Sequence, residues 1–325
     1  MIALIVGGLA LLAVFAMLAP LDTLRWWAAR PDGGGLESLV APPSEATGTR
    51  GRGQPDRFAV YLSGVGAVDG TTDSHHERAT LAQLQQSLPQ VKLVADVFPY
   101  AVENRGLTQR ASTWFWGRLI ALRRTPLAPL SYLIQLRNVM RVLVSADSRY
   151  GPTFNLAVTE QIVDSLTRHG YDWRVRPPVT IIGYSGGGQV ALGATWYLTT
   201  LGVEVSVVSI GGVFGSDPGL ERVSHLWHLY GAKDLLHRLG PLAFPGRWPT
   251  APRSAWHRAV ARQRVTIRCL GPMKHDHGRD YFDHRANTAD GVSYRQVTVD
   301  ALVQILTGAS TAGDPDTAPS TTPHS

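Results

Sequence analysis

Val179-Thr180-Ile181-Ile182-Gly183-Tyr184-Ser185-Gly186-Gly187-Gly188-Gln189-Val190-Ala191-Leu192 is the stretch on which the fold of this chain turns. A β-branched run ends in Gly-x-Ser-x-Gly, and a small-residue helical pattern follows. Strand, sharp turn and helix, in that order, hold a serine on strained backbone with its hydroxyl projecting above the edge of a sheet. Gly183 and Gly187 carry no Cβ, so strand and helix can approach closely around the turn. Gly186 comes next, at the start of the predicted helix, where a backbone N–H and the helix dipole both favour developing negative charge. An ordinary Gly/Ser turn would show the same five residues; the flanking strand and helix favour a nucleophile.

Outward from this turn, apolar β-branched runs alternate with helical patterns. Strands are predicted at residues 58–62, 91–97, 203–210, 223–230 and 265–270, and helices at 77–88, 154–168 and 297–307. Such alternation implies an α/β fold with a mainly parallel sheet of about six strands and right-handed crossovers. Ligands of open α/β sheets bind beyond the carboxyl ends of the strands. Several chemistry-bearing residues fall at such ends. The first strand empties into Ser63-Gly64-Val65-Gly66, where Gly64 and Val65 are candidate backbone donors to an oxyanion, alongside Gly186. No Gly-x-Gly-x-x-Gly is completed there, so a dinucleotide site is not indicated.

A serine hydroxyl needs a base to take its proton and an acid to orient that base. Asp234 follows the strand that ends Leu229-Tyr230-Gly231, and is the first choice of acid, although the same residue suits a helix N-cap. Asp217, in Gly215-Ser216-Asp217-Pro218, is the alternative acid. His275 and His277 both follow the last strand, and spacing alone leaves the base open between them. With Asp276 and Asp280 they form a conceivable metal set, but a metal site does not need a strained serine, and no metal or cofactor is expected. His75, His76 and His284 read as surface residues. Cys269, the single cysteine, lies in a predicted strand and reads as core packing; one cysteine makes no internal disulfide.

Taken together, Gly183-Tyr184-Ser185-Gly186-Gly187, Tyr230-Gly231-Ala232-Lys233-Asp234 and Met273-Lys274-His275 resemble the α/β-hydrolase superfamily. More narrowly, Arg149-Tyr150-Gly151-Pro152-Thr153-Phe154-Asn155 and Phe244-Pro245-Gly246-Arg247-Trp248 are similar to segments of poorly characterised bacterial membrane-anchored members. The resemblance covers about residues 58–307. It implies a catalytic triad of Ser185, Asp234 and His275, the Met-Lys-His match favouring His275 over His277. It implies hydrolase chemistry on an acyl substrate, an ester or lipid-like molecule, without naming one. The oxyanion loop departs from the pattern, reading Ser-Gly-Val-Gly where His-Gly is usual. An acyltransferase with the same triad, or a non-catalytic binding scaffold, are the alternatives.

Composition bounds the rest. The chain has 325 residues, 44% hydrophobic and 17% charged, enough for one large α/β domain with appendages. The formal net charge is +6, carried almost wholly by scattered arginines, which argues against a nucleic-acid footprint. Residues 2–19 are apolar throughout, long enough to span a bilayer, and Trp26, Trp27, Arg25 and Arg30 follow. The expected organisation is a transmembrane anchor at 1–21, a flexible linker at 22–56, the α/β domain at 57–307 with a helical cap insertion at about 101–150, and a disordered tail at 308–325. The positive-inside rule expects the domain on the cytoplasmic side of a single-pass membrane protein. The expected partners are a small-molecule or lipid acyl substrate and the membrane, not nucleic acid.

Overall fold

The structure is a computed structural model that describes residues 55–65, 75–100, 132–276 and 278–308. The predicted anchor, the linker up to residue 54, the tail from residue 309, the first part of the insertion, and His277 lie outside the described residues. Among the described residues no helix is long and apolar enough to cross a membrane.

Six strands form one sheet: β1 (Arg57–Leu62), β2 (Val91–Val97), β3 (Val179–Tyr184), β4 (Val205–Ile210), β5 (Leu226–Tyr230) and β6 (Val265–Cys269). Their order is β2-β1-β3-β4-β5-β6, and every pairing is parallel. Among the described residues the α-helices are α1 (His75–Ser87), α2 (Tyr132–Ala146), α3 (Gly151–Arg168), α4 (Gly187–Thr200), α5 (Leu239–Ala243), α6 (Ala255–Ala261) and α7 (Tyr294–Thr307). The expected α/β class with a six-stranded parallel sheet is what the chain adopts.

The alternation of side chains along each strand divides the core in two. Phe58, Val60 and Leu62 of β1 join Ile181, Val205 and Val207 in one cluster, with Ile162 of α3 and Leu192 of α4. Ala59 and Tyr61 point the other way and join Ile182, Val208 and Leu229, under Leu84 of α1 and Leu302 of α7. β3 is buried at all six positions because helices cover both faces, which is why it reads as a nearly unbroken apolar run.

The chain enters the sheet at β1, crosses through α1 to β2, and then returns past β1 to β3. The direction of winding therefore reverses between β1 and β3. At such a switch point the connections leave on opposite faces, and a crevice opens above the carboxyl ends of the two strands. The β1 register sets Leu62 beside Gly183, so the Gly64 loop and the Ser185 turn emerge side by side at that crevice.

Some boundaries differ from the sequence-based expectation. β5 begins at Leu226 rather than 223, because Pro218–Glu221 form a 3₁₀ turn and the Val223 N–H bonds back to the Gly219 carbonyl at 2.9 Å. α3 begins at Gly151, with Pro152 in its first turn, where proline's missing N–H has no partner to lose. Cys269 is a correction of another kind. It is exposed, not packed in the core, because β6 is the edge strand, where Ile267 is exposed as well and no residue is fully buried.

Candidate active site

Ser185 caps β3 with a φ of 53°, a left-handed conformation uncommon for a residue with a side chain. The surrounding backbone fixes it there. The Ser185 N–H donates to the Ile210 carbonyl at 3.0 Å, and its carbonyl accepts from Val213 and Gly188, each at 3.1 Å. The turn is this tight because its glycines leave room. A Cβ on Gly183 would fall 2.5 Å from the Gly187 carbonyl oxygen, and one on Gly187 would fall 2.5 Å from that of Leu62. The result is a hydroxyl held at the switch-point crevice on a side chain only 7% exposed.

His275 is brought to it by the lacing of the loops that follow β5 and β6. The Ala232 N–H donates to the Gly271 carbonyl at 2.8 Å and the Lys233 N–H to that of Met273 at 3.2 Å. Across this seam, His275 Nε2 lies 2.8 Å from Ser185 Oγ, and His275 Nδ1 lies 2.9 Å from Asp234 Oδ2. An ionised carboxylate only accepts, so Nδ1 carries the hydrogen, and in the neutral ring Nε2 is left to accept from the serine hydroxyl. Ser185, His275 and Asp234, predicted separately from three strand ends, thus form one hydrogen-bonded chain.

Asp234 is completely buried and uses both oxygens. Oδ1 accepts from the backbone N–H of Leu236 at 2.8 Å and of His237 at 3.2 Å, which is the N-cap role the sequence also suggested. Oδ2 accepts from His275 and from the Tyr281 hydroxyl at 2.6 Å. Burial pushes the Asp234 carboxyl up, but the hydrogen bond and charge of His275 and the bond from Tyr281 outweigh it, and the group sits below the usual carboxylate range.

Two tyrosines that sequence reasoning did not single out complete the support. The Tyr281 hydroxyl, besides donating to Asp234, accepts from the Gly231 N–H at 2.8 Å. Tyr184 donates to the His275 carbonyl at 2.5 Å, and its ring stacks on the imidazole with centroids 5.3 Å apart. Tyr184 occupies a variable position of Gly-x-Ser-x-Gly, and Tyr281 lies in an irregular loop. Neither spacing nor periodicity marks them.

The alternative acid is placed elsewhere. Asp217 accepts from the Gly219 N–H at 2.7 Å and from Gln189 Nε2 at 2.8 Å, capping the 3₁₀ turn beneath α4. Burial pushes its carboxyl up to about 6. The alternative base, His277, lies outside the described residues. Among the described residues no three His, Cys, Asp or Glu side chains converge as ligands for a metal ion.

The expected oxyanion donors are adjacent to the serine. A Cβ on Gly64 would lie 3.2 Å from the Ser185 Cβ. The N–H groups of Gly64, Val65 and Gly186 donate to no other described residue. Asn138 of α2, fully buried, donates from Nδ2 to the Val65 carbonyl at 2.7 Å and so holds this loop against the helix. Chemically, the arrangement lets an imidazole take a serine proton while a buried carboxylate stabilises the imidazolium, next to a loop whose backbone N–H groups bond to no described residue.

Compared with protein-family models and with curated proteins, the chain matches none of them.

Proposed function

We propose that the chain is a serine hydrolase of the α/β-hydrolase superfamily acting on an acyl substrate through a catalytic triad of Ser185, His275 and Asp234. What carries the proposal is the unbroken path Asp234 Oδ2, His275 Nδ1, His275 Nε2, Ser185 Oγ, with links of 2.9 and 2.8 Å, ending on a serine of positive φ. Strained serine backbone at a strand–helix turn is costly without a use, and lifting a nucleophile into a crevice is the use this context suggests.

In the proposed reaction Ser185 Oγ attacks the acyl carbonyl carbon as its proton passes to His275 Nε2. The carbonyl π electrons move to oxygen, where the N–H groups of Gly186 and Val65 hold the oxyanion. As the tetrahedral centre collapses, the leaving group departs with the proton from Nε2. Water then attacks the acyl-serine, giving its proton to Nε2, and that proton returns to Ser185 as the acid is released. Asp234 keeps the imidazole in the required tautomer and stabilises its cation throughout. The apolar stretch at residues 2–19 would tether the domain to a membrane, which favours an ester or lipid-like substrate.

The test is labelling with a fluorophosphonate probe, followed by peptide mapping. Wild-type protein should label at Ser185, and Ser185→Ala should not label. A folded wild type that never reacts would sink the proposal.

A further inference from the structure

Tyr100, just past the end of β2, is completely buried, and its hydroxyl has no hydrogen-bond partner among the described residues. A buried hydroxyl without a partner is costly, and folds seldom leave one unless something else occupies it. Its place is specific. If Gly186 carried a Cβ, the Tyr100 hydroxyl would lie 3.1 Å from it, with Val65 Cγ1 at 3.0 Å and Val142 Cγ2 at 2.6 Å. The hydroxyl therefore lies against the residue after Ser185, at the N-terminus of a 14-residue helix, with the Val65 and Val142 side chains at the same spot.

The backbone on either side is clamped. Two buried arginines of α2 reach it, Arg137 Nη1 donating to the Tyr100 carbonyl at 3.2 Å and Arg141 Nη1 to that of Pro99 at 3.4 Å. Two guanidinium groups thus fix the backbone of a residue whose hydroxyl bonds to no described residue. Resting on the hydrolase reading above, we propose that the Tyr100 hydroxyl is a catalytic residue of that site, a side-chain donor to the oxyanion beside the backbone N–H groups of Gly186 and Val65. Burial pushes the phenol well above its ordinary range, with Arg141 pulling the other way, so the hydroxyl keeps its hydrogen and is available as a donor. In a buried site a hydrogen bond to a developing negative charge is stronger than in water, and the donor needs no reorientation from solvent.

Tyr100→Phe in the full chain removes one oxygen and nothing else. The measurements are the maximal rate of Ser185 labelling at saturating fluorophosphonate, the probe concentration for half-saturation, and the thermal midpoint. The expected result is a maximal rate about 100-fold lower, with half-saturation unchanged and the midpoint equal or higher. A merely structural tyrosine would give the reverse, a lower midpoint with the rate kept. A wild type that labels beside a Tyr100→Phe protein within about threefold of it overturns this inference alone. A wild type that never labels overturns the hydrolase proposal and this inference with it.

Discussion

Tyr281 and His275 converge on the same oxygen of Asp234, the hydroxyl at 2.6 Å and Nδ1 at 2.9 Å. Both donate, so both favour the ionised carboxylate, and Tyr281 also accepts the Gly231 N–H. Tyr281→Phe removes one of the two donors to Oδ2 and leaves a buried N–H without an acceptor. Stability should fall by about 1–3 kcal/mol in urea unfolding. The Asp234 pKa should rise, because one of the bonds holding it down is gone. The carboxylate works above its pKa, so the acid limb of the labelling rate should move to higher pH. An acid limb that stays in place would show that Tyr281 does not tune Asp234.

Asp234 and Asp217 are separated by what each carboxylate touches. In Asp234→Asn the amide oxygen can retain the cap to Leu236 and His237, which leaves the NH₂ group facing His275 Nδ1. The ring would then carry its hydrogen on Nε2 and be unable to accept from Ser185. Labelling at Ser185 should slow by about 10³–10⁴-fold with the fold retained. Asp217→Asn, whose side chain meets Gln189 and Gly219 instead, should leave labelling within a few-fold of wild type. Circular dichroism alongside labelling checks both; a larger loss in Asp217→Asn would reverse the assignment.

Ser185, Asp234 and His275 could each be placed from the sequence because each lies within a few residues of the end of a predicted strand, and parallel strands put their carboxyl ends on one rim. The number of strands and the class of fold were legible for the same reason. Strand order was not, since it is decided by which faces the helices bury rather than by any local pattern. That is why Cys269, in a run that reads like any buried strand, proves to lie on an exposed edge. Tyr281, Asn138 and Tyr100 were invisible for a related reason. Their partners are backbone groups and side chains brought near only by tertiary packing, the Asn138–Val65 contact spanning 73 positions. Asp234 presented a different difficulty. Its sequence context supported both a cap and a partner for a histidine, and with two oxygens it bonds the Leu236 and His237 N–H groups and meets His275 as well.

Asp217 should also leave a mark on stability. Its carboxyl is pushed up to about 6 by burial, so between the ordinary carboxylate value and that point the folded state binds more protons than the unfolded chain. The preference for the neutral form contributes fully below about pH 4 and is lost as pH rises through about 6. Wild type should therefore lose about 2–3 kcal/mol relative to Asp217→Asn between pH 4 and pH 7. Urea unfolding of both proteins at a series of pH values reads this difference directly. A wild-type curve that runs parallel to the variant's would show that the carboxyl titrates at an ordinary pH in the fold.

The glycines around Ser185 should differ in tolerance according to what a methyl group would meet. At Gly183 a Cβ lies 2.5 Å from the Gly187 oxygen and 2.7 Å from the Gly188 nitrogen, and at Gly187 it lies 2.5 Å from the Leu62 oxygen and 2.9 Å from that of Ser63. All of these are backbone atoms, so no rotamer change relieves the overlap; β1, β3 or α4 has to shift. Gly183→Ala and Gly187→Ala should each cost about 3 kcal/mol or more. At Gly64 the nearest atoms are the Tyr184 ring at 3.1 Å and the Ser185 Cβ at 3.2 Å, side-chain atoms that can give by a few tenths of an ångström. Gly64→Ala should therefore cost less in stability than either. Its effect should fall on labelling instead, because the displaced atoms belong to Ser185, the proposed nucleophile, and to the tyrosine stacked on His275. Denaturation midpoints for the three variants test the order. Gly64→Ala emerging as the least stable would mean that the turn is looser than its geometry implies.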